Sequence, residues 1–158
     1  RMLGTKGVVP EELYEVPIGS AAVRREGSDV TVVSYSRMAA ESLAAAELLA
    51  AEGIGCEVVD LRSVSPIDLD TVLASARRTN RLVVVHEAVR AGGLGAELAA
   101  QIQEHAFDHL DAPVARVGAP FAPVPFSPAL EAAYVPDAAA IAAQIRETLH
   151  RPMPGARR

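Results

Sequence analysis

Between Cys56 and Ala88 the chain reads CEVVDLRSVSPIDLDTVLASARRTNRLVVVHEA. Two short apolar runs, Val58-Val59 with Leu61 and then Leu82 to Val85, each stop abruptly at polar residues. Asp60 and Arg62 end the first, His86 and Glu87 the second. Continuous apolar runs of this length read as strands buried on both faces, which requires helices above and below a parallel sheet. The segment between them carries helix punctuation at both ends. Asp68 is placed to cap the first turn, and Arg77 and Arg78 fall in the last turn, where cations oppose the helix dipole. The spacing predicts a helix from Asp68 to Thr79.

The same alternation extends in both directions. Val30 to Tyr35 (VTVVSY) is a β-branched run and a predicted strand. Ser36 can cap an alanine-rich helix running through Ala51 and stopped by Gly53. Ala21 to Arg24 fits a short edge strand. Gly92-Gly93-Leu94-Gly95 opens a helix from Leu94 to Leu110, and Val114 to Val117 forms a further strand. A proline-rich excursion follows (Pro120, Pro123, Pro125, Pro128). Pro136-Asp137 then starts a last helix ending near Leu149. Strand and helix in regular alternation predict a doubly wound α/β sheet. Residues 1–17 read as a linker, residues 18–150 as the domain, and the Pro- and Arg-rich residues 151–158 as a flexible tail.

At 158 residues the chain fits one domain. Half its residues are hydrophobic but only 4% are aromatic, so Ala, Val, Leu and Ile must build a closely packed core. A formal charge of −5 argues against nucleic acid as partner, since phosphate binding needs a concentrated basic surface. The single cysteine, Cys56, excludes a disulfide within the chain and any multi-cysteine metal site; at the start of an apolar strand it reads as a buried, inert thiol. No apolar run approaches a membrane span and the amino terminus has no signal-peptide pattern, so the expected compartment is the cytoplasm. Arg1 in place of an initiating methionine leads to the expectation of a fragment or a processed chain.

Several groupings could carry chemistry. The Gly92–Gly95 turn follows a strand and precedes a helix, as a phosphate cradle does, but Leu98 stands where G-x-G-x-x-G needs its third glycine. A tight helix–sheet or subunit contact explains the turn better. Ser36, Asp60 and His86 fall at strand ends and on paper form a hydrolase set, without the G-x-S-x-G nucleophile elbow. His105 and His109 have metal-binding spacing but lack the glutamate of H-E-x-x-H and a third ligand; beside Glu104 and Asp108 they read as a solvated face. Arg62, Asp68, His86 and Glu87 are polar strand-end residues that must be solvated, paired or functional. An Arg–carboxylate network across a subunit interface would satisfy them without catalysis.

Beyond these single features, six segments resemble one family in order along nearly the whole chain: VPEELYEVPIGSAAVRREGSDVTVVSYS (Val9 to Ser36), CEVVDLRSVSPIDLDTV (Cys56 to Val72), RLVVVHEA (Arg81 to Ala88), GGLGAELAAQIQE, LDAPVARVGAP, and the P-x-P…LE…VPD run through Asp137. The chain is similar to the carboxyl-terminal half of the β subunit of thiamine-diphosphate-dependent 2-oxo acid dehydrogenases, a domain of the transketolase C-terminal type. The resemblance implies a three-layer α/β/α fold whose five-stranded, mostly parallel sheet has one antiparallel edge strand near Ala21 to Arg24. It implies that thiamine diphosphate and magnesium are held elsewhere, by the α subunit and by the amino-terminal half of β, so no catalytic, cofactor-binding or metal-binding residue is expected here. The implied role is assembly: contact with the α subunit and a second β subunit, and docking of the small basic subunit-binding domain of the lipoyl acyltransferase. The motif position of Asp111, in Leu110-Asp111-Ala112-Pro113, implies that this carboxylate meets that domain. Pyruvate, a branched-chain 2-oxo acid or acetoin all remain open as substrate of the whole enzyme. A free-standing interaction module of the same fold is the alternative, with the Ser36/Asp60/His86 hydrolase behind it.

Overall fold

A computed structural model describes residues 7–150. The chain runs β1 (Ala22–Arg25), β2 (Val30–Ser34), α1 (Arg37–Ala50), β3 (Cys56–Asp60), α2 (Leu69–Thr79), β4 (Leu82–Val89), α3 (Leu94–Ala106), a 3₁₀ turn (Phe107–His109), β5 (Ala115–Ala119), α4 (Pro128–Tyr134) and α5 (Ala138–His150). The strands form one sheet in the order β1-β3-β2-β4-β5. β1 lies antiparallel to β3, and the other pairings are parallel. This is the expected three-layer α/β fold with its antiparallel edge. Residues 7–17 contain no helix or strand. The tail expected over residues 151–158 lies outside the described residues.

Alternation along the strands divides the core in two. Val30, Val32, Val58, Val83 and Val85 face α1 and α5, where they meet Met38, Leu49, Ile141 and Ile145. Val33, Val59, Leu82 and Val84 face α2 and α3 and meet Val72, Leu98 and Ile102. β2 and β4 are neighbours whose following helices lie on opposite faces. The crevice at their carboxyl ends is therefore the topological switch point of the sheet.

Four expectations need correcting. Ser36 stands at the N-cap of α1 at φ 56°, but its side chain makes no capping hydrogen bond. The helix expected to reach Leu110 ends at Ala106 and tightens into the 3₁₀ turn. β4 continues past Val85 to Val89, because Val89 regains register with Ala119 of β5 after a bulge. The proline-rich excursion contains α4, with Pro128 in its first turn, where a missing N–H costs nothing. Asp68, in contrast, caps α2 as expected, its Oδ1 accepting from the Thr71 amide at 3.0 Å.

Candidate functional site

Polar residues gather at both ends of the sheet. At the amino end of β4, α2 finishes at Asn80, which takes the left-handed conformation (φ 59°). Its carbonyl accepts from the Asp111 amide at 2.8 Å. Its side-chain amide donates to the His109 carbonyl at 2.6 Å. These two bonds fasten the loop after α3 against the start of β4 and set Asp111 beside Arg81, with Oδ2 3.3 Å from Nη1. Asp111 is exposed, whereas Arg81 is partly covered.

At the carboxyl ends, Arg37 reaches Glu41 at 3.3 Å and, across the switch point, Glu87 at 3.8 Å. Tyr35 lies in the same crevice; burial and then the Glu87 charge raise its phenol above the ordinary range. Asp60 pairs with Arg24 at 3.9 Å and accepts from the Arg62 amide at 3.1 Å. Arg62 itself is exposed at φ 56°, and it takes part in none of the ion pairs formed between described residues. Asp68 works structurally: besides capping α2, its Oδ2 accepts from the Thr71 hydroxyl and from the Ala21 amide, each at 2.8 Å. Burial opposes its charge, yet the three hydrogen bonds outweigh it and hold the carboxyl below its ordinary value. Among the described residues of this single chain, Asp60 pairs with Arg24 and Glu87 with Arg37, while Asp68 serves as a cap.

His86 departs furthest from expectation. It is neither solvated nor paired: it is fully buried, and neither ring nitrogen has a hydrogen-bond partner. Three glycines form its socket. A Cβ would lie 2.7 Å from Cε1 at Gly93, 2.5 Å from Nε2 at Gly95 and 3.1 Å from Nε2 at Gly118. The glycine turn is therefore a tight helix–sheet contact built around an imidazole. Burial, then the Arg116 charge, lowers the His86 pKa below its ordinary value and keeps the ring neutral.

This placement dissolves the hydrolase set. His86 shares the α3 face with Val84, while Ser34 and Asp60, paired in register, follow the opposite alternation. With both nitrogens unpartnered, His86 is bonded neither to Ser36 nor to Asp60, so these three residues are not assembled as a set. His105 and His109 are exposed, and no three metal-ligating side chains cluster among the described residues. Cys56 is buried as expected, and burial pushes its thiol up to about 11.

Sequence reasoning missed Glu57. It is fully buried on β3, beside Thr31 of β2, and meets the guanidinium of Arg78 on α2. The only signal was one charged residue interrupting the CEVVD strand. Thr31 completes this buried polar patch by sharing a 2.8 Å hydroxyl hydrogen bond with Thr79.

Comparisons with known proteins agree with this architecture. The family model "Transketolase, C-terminal domain" matches residues 19–141. The chain is 47% identical over 148 residues to the acetoin:2,6-dichlorophenolindophenol oxidoreductase subunit beta of Cupriavidus necator, covering 94% of this chain and 44% of that protein. It is 48% identical over 141 residues to the pyruvate dehydrogenase E1 component subunit beta of Staphylococcus epidermidis, covering 89% and 43%. The chain thus spans less than half the length of these relatives. A solved structure described as a split gene transketolase, inactive beta4 tetramer, superposes with a TM-score of 0.75 at 33% identity, covering 94% of this chain and 46% of that one. Sheet order, the antiparallel edge and these similarities converge: the chain belongs to the transketolase C-terminal domain family.

Proposed function

We propose that this chain is the carboxyl-terminal assembly domain of the β subunit of a thiamine-diphosphate-dependent 2-oxo acid dehydrogenase. In this reading residues 1–17 lead in from an amino-terminal pyrimidine-binding half, and the whole enzyme decarboxylates a 2-oxo acid and passes the acyl group to a lipoyl carrier. The domain contributes contacts to the α subunit and a second β subunit, and docks the basic subunit-binding domain of the acyltransferase through Asp111. Arg62, Asp68, His86 and Glu87 serve structure and assembly in this reading, not catalysis. The observation that carries it is the match, along nearly the whole chain, to β subunits named for pyruvate and acetoin oxidation. The tetramer formed by the split-gene relative supports the self-assembly part.

In this reading the diphosphate is held outside this chain. Gly93 and Gly95 of the glycine turn close on the His86 ring. No step of the reaction is assigned to this chain. Among the described residues no helix is long and apolar enough to cross a membrane.

Calorimetric titration with an acyltransferase subunit-binding domain, at low and high salt, tests the docking role. Saturable binding that weakens with salt and is lost in Asp111→Arg is the expected result. Affinity and salt response unchanged in that variant would remove Asp111 from the reading.

A further inference from the structure

The arm that leads into β1 has no helix or strand over residues 7–17. Its apolar side chains Leu13, Tyr14 and Val16 are exposed, Leu13 at 99%. Among them stand Glu11, Glu12 and Glu15, which join none of the ion pairs formed between described residues. Exposed apolar side chains gathered in one segment mark a contact surface. The opposite edge of the sheet carries its complement. Beside β5, a cavity of about 510 Å³ is lined by Arg90, Arg116, Phe121 and the bare backbone of Gly118. Arg116 Nη1 donates to the Arg90 carbonyl at 3.0 Å, and the Arg90 amide donates to the Ala119 carbonyl at 2.9 Å, which fixes both residues on β5. Neither guanidinium pairs with a carboxylate among the described residues. Phe121, 82% exposed, also walls an apolar cleft of about 350 Å³ with Val89, Ala122 and Pro123. β1 and β5 are the two edges of the sheet, four strand spacings or about 19 Å apart, so the arm starts at the edge far from this surface.

We infer that the acidic arm of one copy of this chain docks on the β5 edge of a second copy. The arm's carboxylates meet Arg90 and Arg116, and its apolar side chains cover Phe121 and the cleft beside it. Charge complementarity selects the occupant: the surface offers two unpaired cations beside an aromatic ring, and the arm offers three unpaired anions beside apolar side chains. Each copy owns both halves of the contact. Reciprocal exchange about a two-fold axis therefore closes the pair and leaves no further arm or surface open. This deepens the self-assembly part of the proposed function, rests on it, and names the surfaces through which two copies meet. The charges set the register and the salt response of the contact, while burial of Phe121 and the arm's apolar side chains holds it at any salt.

The test is sedimentation equilibrium of the full chain, at low and high salt, over concentrations up to about 1 mM. Wild type is compared with Arg90→Glu, with the triple arm variant Glu11→Arg, Glu12→Arg and Glu15→Arg, and with the two sets combined. At low salt, self-association should weaken about tenfold in Arg90→Glu and in the arm variant, and return to within about threefold of wild type in the combination. Phe121→Ser should weaken it about equally at both salts. All these side chains except Arg116, which is left in place, are exposed, and thermal melting checks that each variant folds. Self-association that persists undiminished in every variant overturns the arm exchange and leaves self-assembly standing. Charge variants that both weaken association, without rescue in the combination, overturn it equally. A wild type that stays monomeric at every concentration overturns both the exchange and self-assembly through this domain.

Discussion

Gly95→Ala is the sharpest test of the His86 socket. The new methyl would sit 2.5 Å from Nε2, 2.6 Å from Cδ2 and 3.3 Å from Val84 Cγ1, so the ring must retreat by about 1 Å to reach ordinary contact. It has little room to move, because Gly93 already fits closely against Cε1 and Nδ1 and Gly118 against Nε2. Overpacking of this kind costs about 1–3 kcal/mol, and a ring held on three sides belongs at the upper end. Alanine in α3 recovers about 0.5–1 kcal/mol of helix propensity. The net expectation is a loss of about 2 kcal/mol, or a fall in Tm of about 4–8 °C for a domain this size. Urea unfolding should show a lower midpoint with an unchanged slope. In a His86→Ala background the ring is gone, and the same Gly95→Ala change should become neutral or slightly stabilising. The coupling between the two substitutions is then about 2–3 kcal/mol. Equal destabilisation in both backgrounds would refute the socket, as would a neutral Gly95→Ala in wild type.

Two further predictions follow from buried polar groups. The His86 pKa is lower folded than unfolded, so its neutral form stabilises the fold fully above the unfolded value of about 6.5, and stability falls as pH drops below it. Unfolding free energies from pH 8 to pH 5 should decline less steeply in His86→Gln; identical slopes would show that the ring does not titrate against the fold. Arg78→Met strands the Glu57 carboxylate and should cost about 2–4 kcal/mol, somewhat under a fully buried pair because Arg78 is half exposed. Glu57→Leu combined with Arg78→Met should recover most of that loss in thermal denaturation, and no recovery would mean the pair is not the source.

The legible parts of the fold were those where local chemistry and global packing agree. The β-branched runs VTVVS, CEVVD and LVVV became strands, and Asp68 signalled its helix because the cap is local, three residues from its donor. α4 was hidden because seven residues bury only Tyr134, leaving no periodic apolar face to read among the prolines. His86 was expected to be solvated, paired or functional, and Glu57 was passed over, because polarity is a property of the residue and burial is not. The glycines that enclose His86 lie seven, nine and thirty-two positions along the chain, a relation that only the folded β4–α3–β5 unit brings together. Asp111 was visible by its motif, but its pairing with Arg81 was not, since thirty residues and a helix separate them.

The placement of Arg81 before β4 and Glu87 near its end has a practical consequence. Six residue steps along the strand separate them, about 20 Å at the usual rise. A guest held at the Asp111 end and another held over the switch crevice would not compete for space, and screening of their charges by salt would leave little electrostatic cross-talk between them. Affinity measured at either end should therefore be indifferent to saturation of the other.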